Sequence, residues 1–241
     1  MRRYALILAT VVVLGSGHTA ARSISVGTAQ HGHLVNGFEL PESNAWIRFY
    51  KKVSKRGSNF ATLEMAALLT RASRVVHGAV GGALLTIGDC SGEDGGDLRG
   101  HRSHNSGRDV DILFYVKNKR GKSVPAKGFY KFNETGWSRN GKGNQQFDVE
   151  RNWWLVRTLL ASDVPAVQYI FVADHLKKSM LSYAKKHGEA KEILRRARSI
   201  LIEPRDALPH DDHFHVRIYC SEEDSKHGCK DNGPKWAWVK R

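Results

Sequence analysis

Two short segments hold most of the chemistry this chain can do. One is His101-Arg-Ser-His104-Asn-Ser-Gly-Arg-Asp109-Val-Asp111, and the other is His210-Asp-Asp-His213-Phe-His215. Five of the twelve histidines fall within them. Imidazole and carboxylate groups are the donors that hold a borderline divalent ion such as zinc. Neither H-x-H nor D-x-D says much alone, so the argument rests on their combination and order. In a strand, side chains alternate sides with a period of two. His213 and His215 then face one way while Phe214 faces a core. By the same alternation Asp109 and Asp111 share a face, opposite Val110 and Ile112. If the two strands pair, Asp111 and the histidines meet on one sheet face, and His104 reaches in from the preceding loop. Two His and one Asp form a three-ligand set that leaves a fourth position open, the pattern of catalytic rather than structural zinc. With one carboxylate the centre stays positive, which suits it to acidify water and polarise a carbonyl. A histidine beside the metal but not on it, His213 or His210, can accept a proton. The same donor set admits other divalent ions.

The elements that must position these residues can be read from pattern. Residues 22–45 read as mostly irregular. A helix is expected over 60–79, capped by Ser58 or Asn59, because Met65, Leu68, Leu69, Ala72, Val75 and Val76 fall on one face. A buried strand follows at 83–87, then a polar loop at 91–100 and a strand over 109–116. The stretch 117–147 is a basic, Gly-rich loop, and loops of that length are usually functional or mobile. Asp148 is placed as the cap of a helix over 149–161. A strand at 166–173 leads to a helix capped by Asp174, whose last turn carries Lys185, Lys186 and His187 before Gly188. A helix over 189–200 and a strand at 213–219 complete the series. Strands and helices mixed without regular alternation indicate an α+β fold.

The rest of the sequence bounds compartment and partners. Arg2 and Arg3, an uncharged apolar run from Tyr4 to Leu14, and small residues through Ala21 form a secretory pattern. The expected division is a signal peptide over 1–21 and one domain over 22–241, periplasmic or secreted. The apolar run is too short for a membrane span, and no later segment has that character. Export permits disulfides. Cys220 and Cys229 would close a short loop and are paired, leaving Cys90 as a buried thiol or a partner for another chain. The formal charge of +14 becomes +12 (14 − 2) without residues 1–21, which draws the chain to anionic surfaces. Charge alone does not choose among wall peptides, envelope polyanions and nucleic acid.

The two segments closely resemble the penicillin-insensitive murein endopeptidases, part of a wider group with lysostaphin-type enzymes, D-Ala-D-Ala peptidases and the sonic hedgehog fold. The family pattern H-x-S-H-x-x-G-x-D-V-D-I is carried by His101, Ser103, His104, Gly107, Asp109, Val110, Asp111 and Ile112. The pattern H-D-x-H-F-H is carried by His210, Asp211, His213, Phe214 and His215, followed by Arg217. Residues 83–90, Gly32, the Asn36-Gly37 turn and the Cys220–Cys229 pair also look like family features. The resemblance implies zinc held by His104, Asp111 and His215. It implies His213 as general base or transition-state stabiliser and His210 as a second active-site histidine. The implied reaction is hydrolysis of D-alanyl–diaminopimelyl cross-links between peptidoglycan stem peptides. The implied core is a small antiparallel sheet flanked by helices, with the metal site on one sheet face. His101 and Asp109 match motif positions but receive no role.

Some features depart from that pattern. Arg108 stands where an apolar or neutral residue is expected. The loop 117–147 does not align; it either lines the substrate groove, with its cations toward stem carboxylates, or is a solvated insertion. Trp236 and Trp238 either pack onto the domain or stack on sugars. Three other activities compete with the endopeptidase: a D,D-carboxypeptidase, an inactive wall-binding protein and an exported metal-dependent nuclease. Nucleic acid is not the expected partner, and the intact histidine set argues against a binder without activity.

Overall fold

Alternating apolar residues in 109–113 and 213–218 make two central strands, and every other element is arranged around that pair. The computed structural model describes residues 21–50, 55–139 and 144–239. The putting together begins with strands β1 (Ile24–Gly27), β2 (Gly32–Val35), β3 (Phe38–Glu39), β4 (Ile47–Phe49) and β5 (Phe60–Ala61). Helix α1 (Leu63–Val80) leads to β6 (Leu85–Ile87), β7 (Asp109–Leu113), β8 (Val116–Asn118), β9 (Ser123–Val124) and β10 (Gln145–Phe147). Then come α2 (Val149–Leu160), β11 (Val167–Phe171), α3 (Asp174–Lys186), α4 (Lys191–Ile200), β12 (Leu201–Ile202), β13 (His213–Ile218) and α5 (Glu222–Lys226).

The main sheet has the order β12-β11-β13-β7-β6-β4. Its four central strands are antiparallel, and each outer pair, β11 with β12 and β4 with β6, is parallel. The fold is therefore α+β as expected, with a mixed rather than purely antiparallel sheet. One face of the sheet buries Val110, Ile112, Phe214 and Val216 in a continuous apolar cluster with side chains of α1, α2, α3 and α4. A fully buried Phe contributes roughly 1.5–3 kcal/mol relative to leaving it exposed, so Phe214 helps lock the register of its strand. The other face carries the polar residues of the two motifs.

Several local expectations are corrected. Residues 22–45 are not irregular: β1 and β2 form an antiparallel pair that buries Leu34. Helix α1 starts later than its apolar pattern suggests, because Thr62 caps it by accepting from Met65 N–H, and Ser58 is instead bonded to Asp89. The strand expected over 109–116 ends at Leu113, and Val116 begins a separate sheet of order β10-β8-β9. From Lys117 onward that second sheet is built from the supposed loop 117–147, whose residues 140–143 fall outside the described ones. Asp148 does cap α2. Asp174 does not cap α3: Ala173 holds the cap position, and the Asp174 N–H is bonded by Glu203. The Cys220–Cys229 disulfide is present, and Cys90 is a buried free thiol. Residues 1–20 of the expected signal peptide lie outside the described residues. No helix among those described is long and apolar enough to cross a membrane.

Arg108 and the tail also find their places. Arg108 is buried, donating to Ser25 Oγ, to the Ile218 and Lys230 carbonyls and to Asp231. It fastens β1 and the C-terminal segment to the sheet, which is why a cation replaces an apolar residue there. Trp236 donates its indole N–H to the Gln168 carbonyl and stacks on Trp238, which Arg195 and Arg196 cover. The tail packs on the protein.

Candidate metal centre

Strands β7 and β13 pair so that His215 lies opposite Asp111 and Arg217 opposite Asp109. This is the pairing on which the sequence argument for a shared face depended. Gly88, just beyond β6, donates its N–H to the Asp111 carbonyl, and a side chain there would press on the Asp111 backbone and the Phe129 ring.

His104 enters from the loop at φ 77°, in the left-handed region that few residues other than glycine adopt. Such a conformation persists when its surroundings over-determine it. Here the His104 Nδ1–H donates to the Cys90 carbonyl at 2.7 Å, the His104 carbonyl accepts from Ser91 Oγ, and the His104 N–H points at Asp109 Oδ2 at 3.4 Å. A carbonyl only accepts, so the proton of His104 sits on Nδ1 and Nε2 is left to face the pocket.

Three imidazole nitrogens converge on one carboxylate oxygen. Asp111 Oδ1 lies 3.4 Å from His104 Nε2, 3.2 Å from His215 Nδ1 and 3.4 Å from His213 Nε2. Asp111 Oδ1 and His104 Nε2 are both buried without a hydrogen-bond partner. Buried polar atoms are rarely left so, and an ion is one of the standard reasons. His101 adds a fourth ring, its Nδ1 3.8 Å from Asp111 Oδ2 and its Nε2 3.4 Å from Asp89. His101, His104 and Asp111 offer ligand atoms within 4.8 Å of one another and could hold a metal ion. The donor chemistry, imidazoles around a carboxylate, fits a divalent cation.

Charge follows this crowding. Burial raises the Asp111 carboxyl, but the His213 and His104 rings beside it outweigh burial and hold it well below the usual carboxylate range. His215 is lowered by burial and raised more strongly by Asp109 and Asp111, which face its two nitrogens. His213 is likewise lowered by burial, yet Asp111 and Asp212 lift it to about 10. His210 goes the other way, to about 4, through burial and the neighbouring His213 and His215.

The remaining site residues form the walls of a cleft of about 930 Å³. His213 donates Nδ1–H to Asp212 at 2.5 Å and rests against the edge of Phe129. His210 lies 5.0 Å from His213, ring to ring, with its Nδ1 buried and unbonded. Lys131, from the supposed loop 117–147, lines the cleft, and Phe132 N–H bonds the Asp211 carbonyl. That segment therefore buttresses the histidine strand, so the reading of it as part of the groove fits better than a solvated insertion.

A family model for penicillin-insensitive murein endopeptidases matches residues 25–237. The chain belongs to this family. A search of curated proteins finds no match. Murein endopeptidases act on peptidoglycan, so membership supports a hydrolase that acts on peptidoglycan.

All five histidines singled out in the murein endopeptidase motifs meet in or beside this cleft with Asp109 and Asp111. Sequence reasoning missed Asp89, which holds His101 and is itself bonded by Ser58 and Arg56. It also missed the Cys90 carbonyl that orients His104. Asp89 and Cys90 lie in the segment that resembled the family, but no spacing rule links them to the later motif. Asp212 was visible within the motif, adjacent to His213, without a signal of what it does.

Proposed function

We propose that the chain is an exported zinc metalloendopeptidase, with one domain over 22–241 and residues 1–21 removed on export. On this reading His104, Asp111 and His215 hold the zinc, and the substrate is the D-alanyl–diaminopimelyl cross-link of peptidoglycan. The observation that carries it is the convergence of His104 Nε2 and His215 Nδ1 on the unbonded Asp111 Oδ1. Two imidazoles and one carboxylate leave room for substrate, as catalytic zinc requires. When bound, zinc supplies Lewis acidity that activates water and polarises the scissile carbonyl.

The protein's own groups do the rest. His213 is held by its Nδ1–H to Asp212, so its Nε2 faces the pocket as the proton acceptor. The Asp111 charge that raises His213 is shared once a dication is bound, which returns the imidazole toward the range in which it can accept a proton near neutrality. The proton taken at Nε2 is returned to the leaving amine. His210 stays neutral at working pH and offers an N–H to the oxygen on which charge develops. Lys131 and Arg205 line the same cleft and suit the carboxylates of stem peptides.

The test is incubation of the mature protein with cross-linked muropeptide dimers, with and without chelator, followed by mass analysis. Conversion of dimer to monomers, lost with chelator and restored by zinc, is the expected result. Release of a terminal alanine alone would reassign the enzyme as a carboxypeptidase, and no turnover with metal bound would indicate a wall-binding role.

A further inference from the structure

Asp109 has no part in the chemistry above, yet it is fully buried beside it. Its Oδ1 lies 2.8 Å from His215 Nε2 and 2.7 Å from Arg217 Nε, and its Oδ2 faces the His104 N–H at 3.4 Å. A carboxylate only accepts, so the His215 proton must sit on Nε2. That leaves Nδ1, 3.2 Å from Asp111 Oδ1, as the nitrogen turned to the pocket. His104 is set in the opposite sense, with Nδ1–H on the Cys90 carbonyl and Nε2 free. The two rings thus present different nitrogens, and Asp109 touches both residues, one through its ring and one through its backbone.

We propose that Asp109 is a positioning residue that fixes the His215 tautomer, so that His215 meets the metal through Nδ1 while His104 meets it through Nε2. The inference rests on the function proposed above. A carboxylate on the far nitrogen of a liganding histidine also makes the near nitrogen a better donor, and removing such a partner typically weakens metal affinity about 10- to 100-fold. Arg217 shares the same oxygen and sits over the Tyr169 ring, 5.7 Å from its centroid. Arg217 stabilises the Asp109 charge without touching His215, so it serves as the control for a purely structural role.

The decisive measurement uses the wild-type holoprotein labelled with ¹⁵N-histidine, its rings assigned by single His→Gln variants. Long-range ¹H–¹⁵N spectra should show His215 protonated on Nε2 and zinc-bound through Nδ1. Ligation through Nε2 would overturn the proposal while leaving the zinc peptidase reading intact. Failure of the wild type to take up zinc would overturn both. In parallel, zinc affinity is measured by chelator competition and the metal-free protein is unfolded thermally. Arg217→Met should lower thermal stability and leave zinc affinity within a few-fold. The neutral double variant Asp109→Leu/Arg217→Met, which leaves no lone buried charge, should lose the 10- to 100-fold. Asp109→Asn keeps an acceptor for Nε2–H and should retain the tautomer with an intermediate affinity. Equal loss of zinc affinity in Arg217→Met and the double variant would show that Asp109 only supports the fold.

Discussion

His104 Nε2 and Asp111 Oδ1 lie 3.4 Å apart in the protein interior, and neither has a hydrogen-bond partner. An unsatisfied buried polar group costs roughly 1–3 kcal/mol. The backbone of His104 adds to that cost by adopting a left-handed conformation. Local chemistry that is unfavourable in two independent ways is the pattern of a site arranged for something that binds there. A divalent cation would satisfy both atoms at once.

From this it follows that His104→Ala and Asp111→Ala should lose metal and peptidase activity together. Zinc content after dialysis should fall from one per chain to near zero in each, with activity at the chelator-treated level. Full activity in either variant would show that the ligand assignment is wrong.

His213 should behave differently. It faces the same oxygen but its other nitrogen is committed to Asp212, as expected of a proton acceptor. His213→Gln should keep stoichiometric zinc and lose roughly 10²–10⁴-fold in kcat, the usual worth of general acid–base catalysis. Loss of zinc from this variant would make His213 a ligand instead.

Metal binding should release protons. The His215 imidazole, with a carboxylate at each nitrogen, holds its proton above the ordinary value of 6.5. The raised value means the metal-free protein is still protonated where a free imidazole is not, so zinc must displace a proton. Zinc affinity should therefore climb with pH through and beyond the ordinary imidazole range and weaken as pH falls. Calorimetry in buffers of different ionisation enthalpy reads this directly. Binding with no proton released, and no pH dependence between pH 6 and about pH 8, would mean that His215 is not on the metal.

Much of this site was legible in the sequence because strand alternation is a strict rule. Once β7 and β13 pair in the register that sets His215 opposite Asp111, Asp109, Asp111, His213 and His215 share a face, and Phe214 turns to the other, where it is buried. The helix α1 was legible for the same reason of period, although its start was not. Ser58 and Asn59 are good caps in isolation, but tertiary bonding to Asp89 takes Ser58 and leaves the role to Thr62. The orientation of His104 was not legible, since it depends on a carbonyl from Cys90, fourteen residues away. Short strands such as β8, β9 and β10 pair across a polar, Gly-rich stretch with no periodic apolar signal, so they read as loop.

Arg108 supplies the last prediction, because the position looked wrong for a cation. Its guanidinium joins β1, the end of β13 and Asp231, and Asp231 also accepts from the Cys220 N–H beside the disulfide. Two clamps thus hold the C-terminal segment to the sheet, one ionic and one covalent. Breaking a buried ion pair from one side costs about 3–5 kcal/mol, and opening a loop as short as that between Cys220 and Cys229 costs about 2–3 kcal/mol in chain entropy. Arg108→Met should therefore lower the urea midpoint more than Cys220→Ser/Cys229→Ser does. Both clamps hold the same segment, and Asp231 and Cys220 are bonded to each other, so their effects should not add. None of the three residues touches Asp111, so the protein that remains folded should bind zinc as the wild type does. An Arg108→Met protein with an unchanged midpoint would show that Asp231 finds another partner and that the disulfide alone holds the segment.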